Sequence, residues 1–150
     1  MSENQSTTFF VGALITSAVG AILLLATNFA GFDGSNYYLG VLFYGGIGAF
    51  GGAYGILIIL PAILLLYCMS ISILVLKFPE KIPDKKFVKY GLYAAVAGFI
   101  LVLIGGAVFA VYATEEDWWW WFDAGFYGGA IGGLLTAIFY YMGEKEVVLP

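Results

Sequence analysis

The sequence predicts an all-α protein, an integral membrane four-helix bundle, and three observations predict it. Apolar segments of about twenty residues pass without a charge, which is the length a helix needs to cross a ~30 Å hydrocarbon core. Five of the six cations, Lys77, Lys81, Lys85, Lys86 and Lys89, fall in one short connector between two of those segments. Glycine and small residues recur every four positions, the spacing that lets membrane helices approach closely. Composition agrees: 62% of residues are apolar and 11% charged, far from the roughly 45–50% and ~25% of soluble domains. With 150 residues the chain makes a single polytopic domain, residues 1–150, with no room for a second.

The first eight residues, Met1 to Thr8, carry no basic cluster, and the apolar run after them exceeds the h-region of a secretory signal. The run is therefore expected to stay as a first span, residues 9–30, about 33 Å long as a helix. The second stretch, residues 39–76, is the anomaly, because one helix of that length would be nearly 58 Å long. It could begin outside the bilayer, bend at Pro61, or divide into two short spans. A turn at Pro61 would sit among Ile58, Ile59, Leu60, Ala62 and Ile63, with nothing polar to satisfy its backbone. One unusually long helix, kinked or protruding, is the favoured form. Spans three and four are expected at residues 88–114 and 122–142.

The connector 77–89 is basic, and Pro79 and Pro83 make it a stiff turn. Lysine near span ends favours the cytoplasmic side and is drawn to anionic headgroups. Four spans then place both termini in the cytoplasm, with the plasma membrane the expected location. The outer connectors carry Asp33, Glu115, Glu116 and Asp117 and no cation. An echo links the halves: Phe43-Tyr44-Gly45-Gly46-Ile47-Gly48 recurs as Phe126-Tyr127-Gly128-Gly129-Ala130-Ile131-Gly132. Each copy follows an acidic, aromatic loop, so the bundle reads as two tandem helical hairpins, 2+2, joined by the lysine connector.

Two motifs are candidates for contact. Gly12, Thr16 and Gly20 share a face of the first span. Gly48 and Gly52, with Gly55, do so on the second, and Gly125, Gly129 and Gly133 on the fourth. Packing within the bundle uses one seam per helix, and glycine on further faces is expected to serve self-association or a larger complex. Trp118, Trp119, Trp120 and Trp121 are expected to open the fourth helix as an interfacial anchor and outer contact surface, the rings turning about 100° per residue around its axis. The nearby acids Glu115, Glu116, Asp117 and Asp123 have the oxygen ligands of a calcium site but no known loop spacing.

The remaining chemistry is thin. Without histidine or arginine the chain lacks the commonest metal ligand, the usual proton shuttle and the bidentate phosphate clamp. Cys68 has no partner for an internal disulfide and reads as a buried thiol. The span interiors hold no ionisable acid or base for ion coupling, and no nucleophile–base pair is evident, so no enzyme, cofactor or metal site is expected.

The leading expectation is a structural or assembly protein of the membrane, a homo-oligomer or a small subunit of a larger complex. A small channel or transporter, its path lined by glycine backbone and hydroxyls, is the first alternative. The second is a hydrophobic coat protein of an archaeal-type virus, its lysine loop facing the genome; only there would nucleic acid be a partner. In span number the chain is similar to tetraspan families such as claudins and tetraspanins. It lacks their paired outer-loop cysteines and the claudin Trp-Gly-Leu-Trp segment.

Overall fold

A computed structural model describes residues 3–32, 36–38, 55–117 and 119–147. Among the described residues four long helices carry the architecture: α1 (Glu3–Ala26), α2 (Ile56–Lys77), α3 (Lys86–Glu115) and α4 (Ala124–Glu146). Three short strands, β1 (Ala30–Phe32), β2 (Asn36–Tyr38) and β3 (Trp120–Phe122), add a small sheet that the sequence did not announce. Each helix packs on its neighbours in the order α1–α2–α3–α4 and back to α1, while the diagonal pair α2 and α4 barely touch. Two hydrophobic clusters fill the interior. One, around Phe29, Ile58, Val102 and Phe109, lies at the sheet end. The other, around Phe10, Cys68, Val88 and Tyr140, lies at the lysine end. Since α1 reaches the lysine end with its first half and α2 with its second, consecutive helices run up and down.

Three of the helices, over Ser6–Ala26, Ile56–Lys77 and Lys86–Glu115, are long and apolar enough to cross a membrane. The fourth, α4, is as long at 23 residues, but glycine and tyrosine dilute its hydropathy. Four spans are expected from the sequence, and by length and composition three of the described helices qualify. Glycine contributes little hydropathy because it has almost no apolar surface of its own, and α4 spends its positions on close approach.

Element ends also differ from expectation. The first helix stops at Ala26 rather than Ala30, where Thr27 folds back with its hydroxyl on the Leu23 carbonyl at 2.6 Å. The second is described from Ile56, with Pro61 inside it near the start. The rest of the expected long helix, residues 39–54, lies outside the described residues, as does the Phe43–Gly48 copy of the repeat. The third ends where Asp117 takes a positive φ of 54°, an αL exit that aspartate tolerates better than most residues. Asp123, not the tryptophan run, starts α4: its carboxylate accepts from the Ala124 N–H at 2.7 Å.

The sheet has the order β2-β1-β3, both pairs antiparallel. Gly31 stands opposite Trp121 in register, and the indole lies where a side chain at Gly31 would go. A side chain at Gly31 would have to displace that ring. The Phe29 carbonyl takes the Asp123 N–H at 3.0 Å and the Asn28 carbonyl takes the Gly125 N–H at 2.8 Å. The end of α1 is thereby tied to the beginning of α4.

Candidate functional site

In the interior, small residues line the contacts between helices, and large side chains gather in the two end clusters. Buried positions include Ala13, Ala21, Ala62, Ala94, Ala95 and most helix glycines, whereas Ile15, Ile22, Ile63, Ile100, Ile131 and Ile138 face outward. Large apolar faces of this extent are rare on soluble monomers. The reason is visible at α4. A Cβ at Gly132 would stand 2.8 Å from the Gly20 Cα and 3.0 Å from the Thr16 carbonyl oxygen. One at Gly125 would stand 2.7 Å from the Asn28 carbonyl oxygen. These neighbours are backbone and cannot swing aside, so glycine sets the interhelix distance.

The glycines singled out from the sequence therefore face partners in their own chain. Gly12 receives the Phe139 ring, Gly20 the α4 backbone and Leu65, Gly129 the Leu24 side chain, and Gly133 the backbone of Phe99 on α3. Glycine on two faces of α4 is not a surplus, because α4 is wedged between α1 and α3 and uses both. Thr16 sits in the same seam, its hydroxyl 2.8 Å from that of Thr136. Thr16 also donates to the Gly12 carbonyl at 2.9 Å, so Thr136 is the donor across the seam. Gly55 stands at the start of α2, its carbonyl accepting from the Ile58 and Ile59 N–H groups. Gly48 and Gly52 lie outside the described residues.

The end of the tryptophan run, Trp120 and Trp121, lies in β3 and not in the first turn of a helix, which corrects the expected ring of indoles around an axis. Trp120 and Phe122 share one face of β3 and turn inward. Trp120 meets Phe109 edge to face with centroids 6.0 Å apart, and its indole N–H donates to the Thr114 hydroxyl at 3.1 Å. Phe122 stacks on Phe126 at 3.9 Å, and Phe126 meets Phe29 edge to face at 5.6 Å. These rings close the sheet end of the bundle. Trp121 covers Gly31 on the opposite face, and Trp119 is 81% exposed. Trp118 lies outside the described residues. Period-2 alternation over three residues was too short a signal to find in four consecutive tryptophans.

At the other end a buried hydroxyl cluster, missed by the sequence reading, joins three helices. The Tyr140 hydroxyl donates to the Cys68 carbonyl at 2.6 Å and lies 3.1 Å from the Ser72 hydroxyl. The Cys68 thiol donates to the Gly91 carbonyl at 3.2 Å, linking α2 to α3. A side chain at Gly91 would collide with the Tyr140 ring. The signal was spread over four positions on three segments, none unusual alone. The cluster is satisfied within itself, as buried polar groups in an apolar interior must be.

All six lysines are exposed, and each lies at the end of the bundle away from the sheet. Lys81 stands over the Phe78 ring at 4.5 Å, and Lys86 pairs with Asp84 at 3.5 Å in the open. Lys77 closes α2, Lys85 precedes α3, and Lys89 and Lys145 sit over tyrosine rings. Glu115, Glu116, Asp117 and Asp123 occupy the sheet end, where no described lysine joins them. Glu80, Asp84, Glu144 and Glu146 share the lysine end, so that end is only slightly positive and the sheet end acidic, with a charge-free belt between. No protein-family model, no curated protein and no solved structure matches the chain.

Proposed function

We propose that this chain is a non-catalytic structural protein of a membrane, spanning it four times with the lysine end and both termini in the cytoplasm. The observation that carries the reading is the outer surface, where isoleucines such as Ile15, Ile22, Ile63, Ile100, Ile131 and Ile138 stand exposed along all four helices while glycine and alanine line the seams between them. Water would penalise such a surface, at roughly 25 cal/mol per Å² of apolar area. Acyl chains would not, and between helices in lipid only close packing and hydrogen bonds distinguish one partner from another. Although poorer in hydropathy, α4 inserts as part of the bundle, since its glycines are covered by α1 and α3.

Because the described seams are occupied internally, association with further copies or with a larger complex falls to the tryptophan rim. Trp119, 81% exposed, and the half-exposed Trp121 supply aromatic surface of the kind that anchors interfaces. A channel role draws less support, since Phe10, Tyr140, Phe29 and Phe109 fill the bundle axis at both ends. The same arrangement would serve a virion coat protein, with the lysines toward nucleic acid.

Carbonate extraction of membranes carrying the full chain, with labelling of the connector from each side, tests the topology. Retention in the pellet and connector labelling only from inside is the expected result; release into the aqueous fraction would overturn it. Native size in mild detergent tests assembly, and Trp119→Ala is expected to shift the particle to monomer. Ion flux across liposomes containing the monomer would replace the structural reading with the channel one.

A further inference from the structure

We infer that the groove between α3 and α4 at the lysine end is a binding site for one anionic phospholipid of the bilayer, its acyl chain in the groove and its phosphate between Lys89 and Lys145. The inference rests on the membrane-spanning reading and adds a specific ligand to it. The groove measures about 620 Å³ and is walled by Tyr93, Val96, Ala97, Ile100, Ile138 and Tyr141. Ala97 leaves it open where a larger residue would fill it. From Tyr93 to Ile100 it follows α3 for roughly 10 Å, along the direction an acyl chain takes in a bilayer.

The mouth supplies the charge. Lys89 precedes Tyr93 by four residues on α3, and Lys145 follows Tyr141 by four on α4. On antiparallel helices both offsets lead one turn further toward the same end. The Lys89 ammonium stands 5.7 Å from the Tyr93 ring centroid and the Lys145 ammonium 3.8 Å from that of Tyr141. Two tyrosines thus form the lip, and each holds a cation above it, an arrangement that suits a headgroup phosphate over buried chains. Glu144 lies close enough to Lys89 to offset part of its charge.

A second apolar groove flanks α4 on the α1 side, about 440 Å³ between residues such as Val19, Leu23, Tyr127 and Ile131. It runs toward the acidic sheet end, beside Asp123, and has no such pair of lysines on its lining helices. Two grooves of like walls and unlike mouths make the charge the discriminating feature.

The test uses the full chain in mild detergent, titrated with dioleoyl phosphatidylglycerol or dioleoyl phosphatidylcholine and read by native mass spectrometry. One phosphatidylglycerol is expected to be retained in preference to phosphatidylcholine. Attraction of an anionic surface to each lysine corresponds to about fivefold, so Lys89→Gln with Lys145→Gln should lower that retention on the order of twentyfold, and Lys81→Gln should not. Glu144→Gln should raise it. Ala97→Phe should remove retention of either lipid by filling the groove, and the lysine variants carry the test if that chain fails to fold. Equal retention of the two lipids, or a double lysine variant that behaves as Lys81→Gln does, overturns the site. Flotation with vesicles separates the two readings. A chain that floats without headgroup preference overturns the lipid site alone, and one that does not float overturns the membrane reading with it.

Discussion

The α1–α4 and α2–α3 seams would be equivalent if the two hairpins were repeats, since a two-fold axis along the bundle would exchange them. They are built differently. Across α1–α4, Gly20 and Gly132 bring backbone against backbone, and a Cβ at Gly132 would sit 2.8 Å from another helix's Cα. Across α2–α3, a Cβ at Gly98 would lie 3.6 Å from the Pro61 carbonyl and 3.7 Å from the Leu64 Cβ, ordinary contact distances. The first pair also makes the more extensive contact. A glycine on a helix surface is therefore not by itself a measure of close approach. What stands opposite it decides whether the missing side chain matters.

The sharpest way to break that contrast is alanine at both positions, with unfolding followed in the same detergent. Gly132→Ala is expected to cost about 1–3 kcal/mol, because backbone on both sides must shift to admit the methyl. Gly98→Ala is expected to be neutral or to gain up to ~1 kcal/mol from better helix propensity. Equal losses at both sites would refute the distinction.

A smaller effect is expected at the lysine end. Tyr140→Phe keeps the ring against Gly91 and removes the bonds to Cys68 and Ser72, for a loss of about 0.5–1.5 kcal/mol. A loss as large as that of Gly132→Ala would mean that hydroxyls, not close packing, hold this end together.

The smallest effect belongs to Thr136→Val, which removes the hydroxyl donated to Thr16 while keeping the shape. Hydrogen bonds between membrane helices average only ~0.6 kcal/mol, and Thr16 retains its bond to the Gly12 carbonyl. Measured against Gly132→Ala it separates the two components of one seam. A larger cost for Thr136→Val than for Gly132→Ala would invert the account.

The legible part of the fold was the part written in composition along the chain. Absence of charge over long runs located the helices near 9–30, 88–114 and 122–142, and the lysines located the turn between α2 and α3. Hydropathy reports the company a segment keeps, and it carries the segment's position with it. Where helix gives way to strand it was silent: Trp120, Trp121 and Phe122 are as apolar as any helix start. Their conformation follows from pairing with Ala30, Gly31 and Phe32, ninety residues away in the sequence. The hydroxyl cluster of Ser72 and Tyr140 was invisible for the same reason.

The glycines mark the boundary most clearly. Their spacing was enough to say that helices meet at Gly12, Gly20, Gly129 and Gly133, since residues four apart share a face. It could not say whom they meet. That depended on α4 lying between α1 and α3, which turns two glycine faces into two internal contacts and leaves Ile131 and Ile138 outside. Periodicity is a property of one helix, whereas a partner is a property of the arrangement of four. Local order was therefore determined along the chain, and the assignment of each face to a neighbour, to the outer cap or to the surroundings was decided only by the tertiary fold.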